Sequence, residues 1–201
     1  RMLVSRIANE EQSAEQQANI RKVNTLLERT EWLISTLLKI ARLESGTVQF
    51  SDESILIEAL INDILEPLEI LIDIKDISLS CDIKNNASFI GDRLWSTEAI
   101  GNILKNCIEH CPDGGKLEIF STENPLYTEV IISDNGTGFD EKDIPHLFDR
   151  FYRGSNSAKE SAGIGLNLSR MIISKQNGVI TAENKASGGA QFTIRIYKGA
   201  I

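Results

Sequence analysis

"IISDNGTGFD", residues 131–140, carries a β-branched run to a single acid, Asp134, and then to Gly136 and Gly138 on either side of Thr137. The alternating "YTEVIISD" that ends in this acid reads as a strand. A carboxylate at the rim of a sheet, followed by residues without side chains, leaves bare backbone against which a flat molecule can slide. In isolation the same letters make an ordinary turn, so the neighbouring stretches have to decide.

Upstream, "KLEIFST" (116–122) alternates like a hairpin partner of 127–134 across "ENPL". Before it, "DRLWSTEAIGNILKNCIEHC" (92–111) predicts a long helix, with Asp92 as N-cap and Pro112 closing it. Asn102 and Asn106 are four residues apart and share one face of that helix. Two such amides are usually solvated surface. A side-chain carbonyl is nevertheless a suitable ligand for Mg2+, which takes one or two protein oxygens and keeps waters and phosphates. Downstream, "HLFDRFYRG" (146–154) is a short amphipathic piece, and the polar "SNSAKES" (155–161) suits a mobile lid or an exposed loop. "GIGL" (163–166) opens a helix running to about Gln176, and glycines there let phosphate oxygens approach the N–H groups of a helix start. Two strands follow, "GVITAEN" and "AQFTIRIY", joined by "KASGG".

Residues 47–51 ("TVQFS"), "ISLSCDI" and "ASFIG" read as short strands, and "SILIEALINDILEPLEILI" as an apolar helix bent near Pro67. Helices mixed with an antiparallel-looking sheet give an α+β fold, a two-layer α/β sandwich. The front of the chain is different. Residues 1–10 are helical in composition, and "RKVNTLLERTEWLISTLLKIARLESG" (21–46) is a clear helix that Gly46 is placed to end. Val23, Leu26, Thr30, Leu33, Leu37 and Ile40 keep the spacing of a bundle seam, and Leu27, Ile34, Leu38 and Ala41 lay a second stripe beside it. Two adjoining stripes ask for more than one neighbour, so a four-helix arrangement built by dimerisation is expected. The unit boundary is expected near residue 48, dividing the chain into 1–48 and 49–201.

At 201 residues the chain can bury a sizeable core, and its net charge of −8 argues against a nucleic-acid binder. No apolar run is long enough to span a bilayer. The three cysteines do not form a disulfide framework. Cys107, His110 and Cys111 could be drawn as a metal site, but no fourth ligand follows at suitable spacing, and small apolar fillers are the better reading. The first residue is Arg1, which reads as a piece of a longer protein.

Taken in order, N-x-x-x-N, D-N-G-T-G, F-x-x-F, G-x-G-L and "SGGAQFTI" resemble the catalytic ATP-binding domain of a sensor histidine kinase, with its N, G1, F and G2 boxes. The helical front resembles part of that family's dimerisation and histidine-phosphotransfer hairpin, so the resemblance covers essentially the whole chain. It implies a GHKL-type ATP-binding fold and a protein-histidine kinase using ATP and Mg2+. It further implies a homodimer formed through the hairpin, a response-regulator receiver as partner, and a parent protein held in the cell membrane with this part in the cytoplasm. Residue by residue, it implies that Asp134 accepts a hydrogen bond from the adenine amine while Gly136 and Gly138 admit the nucleotide. Asn106 would hold Mg2+, Asn102 would support the same site, and His110 would line the pocket. Arg150, Tyr152 and Arg153 are lid-side candidates for phosphate contact and for docking the helical unit; Gly163, Gly165 and Leu166 carry phosphate at the helix start.

The sequence departs from that pattern in places. Its two histidines, His110 and His146, do not stand where the family's phospho-acceptor stands, which is expected upstream of Arg1. Ser161 replaces a glycine of the G2 box, and the acidic Glu109 occupies a position often basic, which Lys105 or Mg2+ would have to offset. Two rivals stay open: an ATP hydrolase of the same fold, and a non-catalytic nucleotide-gated module. Such hydrolases generally place a glutamate four residues before the metal-binding asparagine, and Asn102 is an amide that cannot serve as a base.

Overall fold

A computed structural model describes residues 14–154 and 162–199. Helix α1, Ala14–Glu44, runs through the front of the chain, and Gly46 with φ +67° follows it in the left-handed conformation that ends helices. The expected helical reading of residues 1–10 lies outside the described residues. The two stripes of α1 part company only in its second half, since Val23, Leu26 and Thr30 of the seam are exposed as Leu27 is. Leu33 and Leu37 are half-buried and Ile40 and Leu43 join the core, whereas Leu27, Ile34, Leu38 and Ala41 remain exposed. The helix is tied to the rest of the chain by Lys39–Glu98 at 2.7 Å and Arg150–Glu44 at 3.3 Å.

After α1 come β1 (Glu53–Leu56), α2 (Ile57–Leu65), a 3-10 turn (Glu66–Leu68) that contains Pro67, and α3 (Glu69–Ile74). They are followed by β2 (Ser78–Ile83), β3 (Ser88–Gly91), α4 (Arg93–His110), β4 (Lys116–Glu123) and β5 (Tyr127–Asp134). A 3-10 turn at Ile144–His146, α5 (Gly165–Lys175), β6 (Gly178–Asn184) and β7 (Ala190–Tyr197) complete the chain. The main sheet has the order β2-β4-β5-β7-β6, and β1 pairs with β3 in a separate two-stranded ribbon.

Two local expectations are corrected. "TVQFS" is not a strand: the Ser51 N–H and hydroxyl both bond to Asp92 Oδ2, while Val48 and Phe50 lean on the core, Phe50 against Trp95 at 5.7 Å. Its Ser51 thus braces the Asp92 side chain, the N-cap of α4, instead of joining a ladder. Ser54–Leu56, read as helix, is drawn into β1 by pairing with β3, and α2 begins only at Ile57. The sheet is also not wholly antiparallel, since β2 and β4 run parallel, with β3 and α4 between them in the chain.

Alternation explains the layering. Leu117 and Ile119 of β4, Val130 and Ile132 of β5, and Phe192, Ile194 and Ile196 of β7 are buried on one sheet face. Against it lie Ile100, Ile103, Leu104 and Cys107 of α4 and Leu168, Ile172 and Ile173 of α5. Each fully buried aliphatic side chain contributes roughly 1.5–3 kcal/mol.

Helix α4 is fixed at both ends. Asp92 Oδ1 accepts from the Trp95 N–H at 3.0 Å. At the other end Lys75 Nζ donates to the carbonyls of Ile108, Glu109 and Cys111 at 2.8, 3.0 and 2.5 Å. A cation on three orphan carbonyls is a favourable helix ending. Lys75→Met should therefore lower unfolding free energy by about 2 kcal/mol, read as a lower urea midpoint at unchanged slope. An unchanged midpoint would show that the cap is idle.

Candidate functional site

The parity of β5 decides where Asp134 points. It shares the inward side with Val130 and Ile132, so the strand delivers its carboxylate between sheet and helices, 1% exposed. One oxygen is fully engaged: Oδ1 accepts from the Gly136 N–H at 2.8 Å and the Ala190 N–H at 3.3 Å. The other, Oδ2, is buried with no N–H or O–H donor among the described residues, the Cys107 thiol being the polar neighbour beside the carboxylate. A buried anionic oxygen with no such donor is costly, so it marks a place prepared for one.

The loop beyond it is held closely. Gly136 packs against the His110 carbonyl at the end of α4. Gly138 has φ +70° and passes against Asn184, where an added Cβ would stand 2.5 Å from Oδ1. A side chain there would be strained by the positive φ and would crowd Asn184. Asn135 Oδ1 accepts from the Lys116 N–H at 2.7 Å, and Lys185 Nζ reaches Glu118 and Ser133 at 2.9 and 3.2 Å on the opposite face. Hydrogen bonds from Lys116 and Lys185 hold the Glu118 carboxyl down at about 2.

Asn102 and Asn106 lie half-buried on one face of α4, and Asn102 Nδ2 is a second buried polar atom without a partner among the described residues. Gly165, the first residue of α5, faces Asn102, with an added Cβ 3.8 Å from Oδ1. Ile164, the N-cap residue of α5, makes no side-chain cap, and a helix start of this kind is suited to an anion. Leu166 is half-buried against the core. Gly163 accepts the Phe151 N–H at 2.9 Å, which joins the two stems of the segment between them. Ser161 and the lid sequence 155–161 lie outside the described residues.

The F-box side is arranged differently. Arg150 pairs with Glu44 of α1 and stands 5.4 Å over the Phe151 ring. Tyr152 donates its hydroxyl to buried Asp143 at 2.7 Å and lies 5.3 Å from the His146 ring, which pairs with Asp149. Arg153 is exposed. Glu109 is exposed with its carboxylate 3.8 Å from Lys105 Nζ. A groove of about 540 Å3, lined by Arg150, Asn167, Arg170 and Lys175 among others, follows the flank of α5 turned away from Gly165. None of Asn102, Asn106 and Asp134 lines it.

The cysteine cluster holds no metal arrangement: among the described residues no three His, Cys, Asp or Glu side chains converge to hold an ion. Burial, and then the Asp134 charge beside it, push the Cys107 thiol well above its ordinary range. The same two causes raise Cys111. Both therefore remain protonated packing groups. Sequence reasoning missed Asn184 and Lys75, whose partners are tens of residues away; the asparagine ending "GVITAEN" was the one visible signal.

Residues 91–199 match the family model described as histidine kinase-, DNA gyrase B-, and HSP90-like ATPase. The chain is 30% identical over 117 residues, 57% of its length, to sensor histidine kinase YvrG of Bacillus subtilis. It spans 20% of that protein, and 44% of sensor protein SphS of Synechococcus elongatus, to which it is 28% identical over 84% of its own length. Among solved structures, full-length ShkA in complex with AMPPNP superposes with a TM-score of 0.78 at 17% identity, covering 96% of this chain and 41% of that one. Histidine kinase ThkA in complex with response regulator protein TrrA gives 0.75 at 19% identity, covering 98% and 56%. No described helix is long and apolar enough to cross a membrane. With more than half its residues matched, the chain belongs to the histidine kinase-, DNA gyrase B- and HSP90-like ATPase family, and its fold is that of a histidine kinase catalytic core.

Proposed function

We propose that this chain is the ATP-binding catalytic core of a two-component sensor histidine kinase, and that Asp134 reads the adenine amine. The observation that carries this is the divided carboxylate: Oδ1 locked by two backbone N–H groups, Oδ2 buried and open. An acceptor-only atom in a dry site selects a donor edge. The Asn102 amide and the uncapped start of α5 supply donors for the phosphates, and the Asn106 carbonyl suits Mg2+. When bound, Mg2+ would neutralise phosphate charge. The chain's own residues hold the nucleotide in place, and positioning supplies much of the rate in phosphoryl transfer.

The phosphoryl group goes to a histidine on a helix preceding this sequence and then to an aspartate of a response-regulator receiver. Residues 1–48 form part of the dimerisation hairpin, its partner face being the exposed stripe of Leu27, Ile34, Leu38 and Ala41. The parent protein is membrane-held, with this part in the cytoplasm. Asn102 favours this reading over a hydrolase, because no carboxylate stands there to activate water. Calorimetry tests it. The chain should bind ATP in a Mg2+-dependent manner, and Asn106→Ala should weaken Mg-ATP by at least about tenfold while leaving Mg-free binding nearly unchanged. A folded wild-type chain that ignores adenine nucleotides would refute the assignment.

A further inference from the structure

Asn184, the last residue of edge strand β6, carries none of the motifs that mark the site, yet its carboxamide behaves like an added strand residue. Oδ1 accepts from the Phe139 N–H at 2.7 Å and Nδ2 donates to the Phe139 carbonyl at 2.9 Å. The same oxygen lies 2.5 Å from where a Cβ on Gly138 would stand. Asn184 is also the cross-strand partner of Ala190, whose N–H bonds to Asp134 Oδ1. One hairpin end thus holds both ends of the 134–139 loop: the acid through Ala190 and the exit through Asn184. The Phe139 ring, set 5.6 Å edge-on to Phe192, completes the anchor.

We infer that Asn184 is a positioning residue for the base pocket, fixing the loop so that Asp134 Oδ2 meets the adenine edge without rearrangement. This rests on the adenine reading of Asp134 given above. Asn184 is exposed and at a sheet edge, so its loss should cost the global fold little and loop order much.

The test uses the 201-residue chain and two variants, Asn184→Ala and Asn184→Asp. The alanine removes both hydrogen bonds; the aspartate keeps an acceptor for the Phe139 N–H but sets an anion against its carbonyl. Both should weaken ADP about tenfold by calorimetry and narrow the preference for ATP over GTP. Native-state exchange of the Phe139 amide should quicken at least about tenfold, with the Ile119 and Ile132 amides of the sheet interior unchanged. Variants that bind ADP and discriminate bases as the wild type does would overturn the proposal, as would exchange accelerating equally throughout the sheet, which marks a merely structural role. If the wild-type chain binds no ADP, the adenine reading falls first and this inference with it. If wild type and variants bind equally, only this inference falls.

Discussion

Asp134→Asn should weaken ATP binding by about a hundredfold and at the same time raise the melting temperature of the nucleotide-free chain. The two effects have one cause. Two backbone donors, Gly136 N–H and Ala190 N–H, claim the oxygen at the Oδ1 position. An asparagine must put its carbonyl there, which leaves its NH2 where Oδ2 stood. That group would confront the adenine amine donor to donor, and losing a charge-assisted bond in a buried site costs about 2–3 kcal/mol. Without nucleotide the balance reverses, because a buried anionic oxygen with no N–H or O–H donor is replaced by a neutral group that is easier to desolvate. A gain of about 1 kcal/mol, or ~3 °C, is expected. Calorimetry and a thermal melt on the same preparation check both signs. Unchanged ATP affinity would remove Asp134 from the pocket, and a lower melting temperature would show Oδ2 to be satisfied in the free protein.

The second large effect concerns the turn that braces this acid. Gly189 has φ +93°, and a Cβ there would stand 2.0 Å from the Asp134 carbonyl oxygen and 2.8 Å from the Asn135 Cα. Backbone cannot step aside as the tip of a flexible side chain can. Gly189→Ala should cost about 4 kcal/mol, the sum of conformational strain and steric displacement, and lower the melting temperature by ~10 °C. Gly188 provides the control, with a similar φ of +90° and nothing within 4 Å of an added Cβ. Gly188→Ala carries the strain alone, about 1–2 kcal/mol. Equal melts for the two variants would show that the approach to Asp134 is not what makes Gly189 necessary.

What could be read from sequence follows the reach of each interaction. The N-cap at Asp92, the hairpin of β4 and β5, the bend at Pro67 and the start of α5 at Gly165 are set by residues within a few positions of one another, and all were legible. Residues 47–51 misled because β-branched and aromatic composition marks burial as readily as pairing: Val48 and Phe50 are apolar to pack, while Ser51 bonds to Asp92, 41 positions on. The parallel pairing of β2 with β4 leaves no local trace. For the candidate site, spacing singled out Asp134 and the asparagines of α4, and the fold buries the acid and half-buries the amides. Asn184 was not singled out, because its partner Phe139 is 45 residues away. Arg150 was expected toward phosphate or toward the helical front, and its contact in this structure is Glu44.

The odd-even rule along β5 has a corollary for how this chain can tolerate change. Tyr127 to Asp134 spells an address in steps of two, counted from the far hairpin turn. Deleting one residue inside the strand would send the acid to the solvent side and bring Ser133 inward, even if every pairing re-formed. Removing two would shorten the strand yet restore the aim. Length variation in this segment is therefore quantised, and single-residue indels between 127 and 134 should be the least forgiven lesions in the chain.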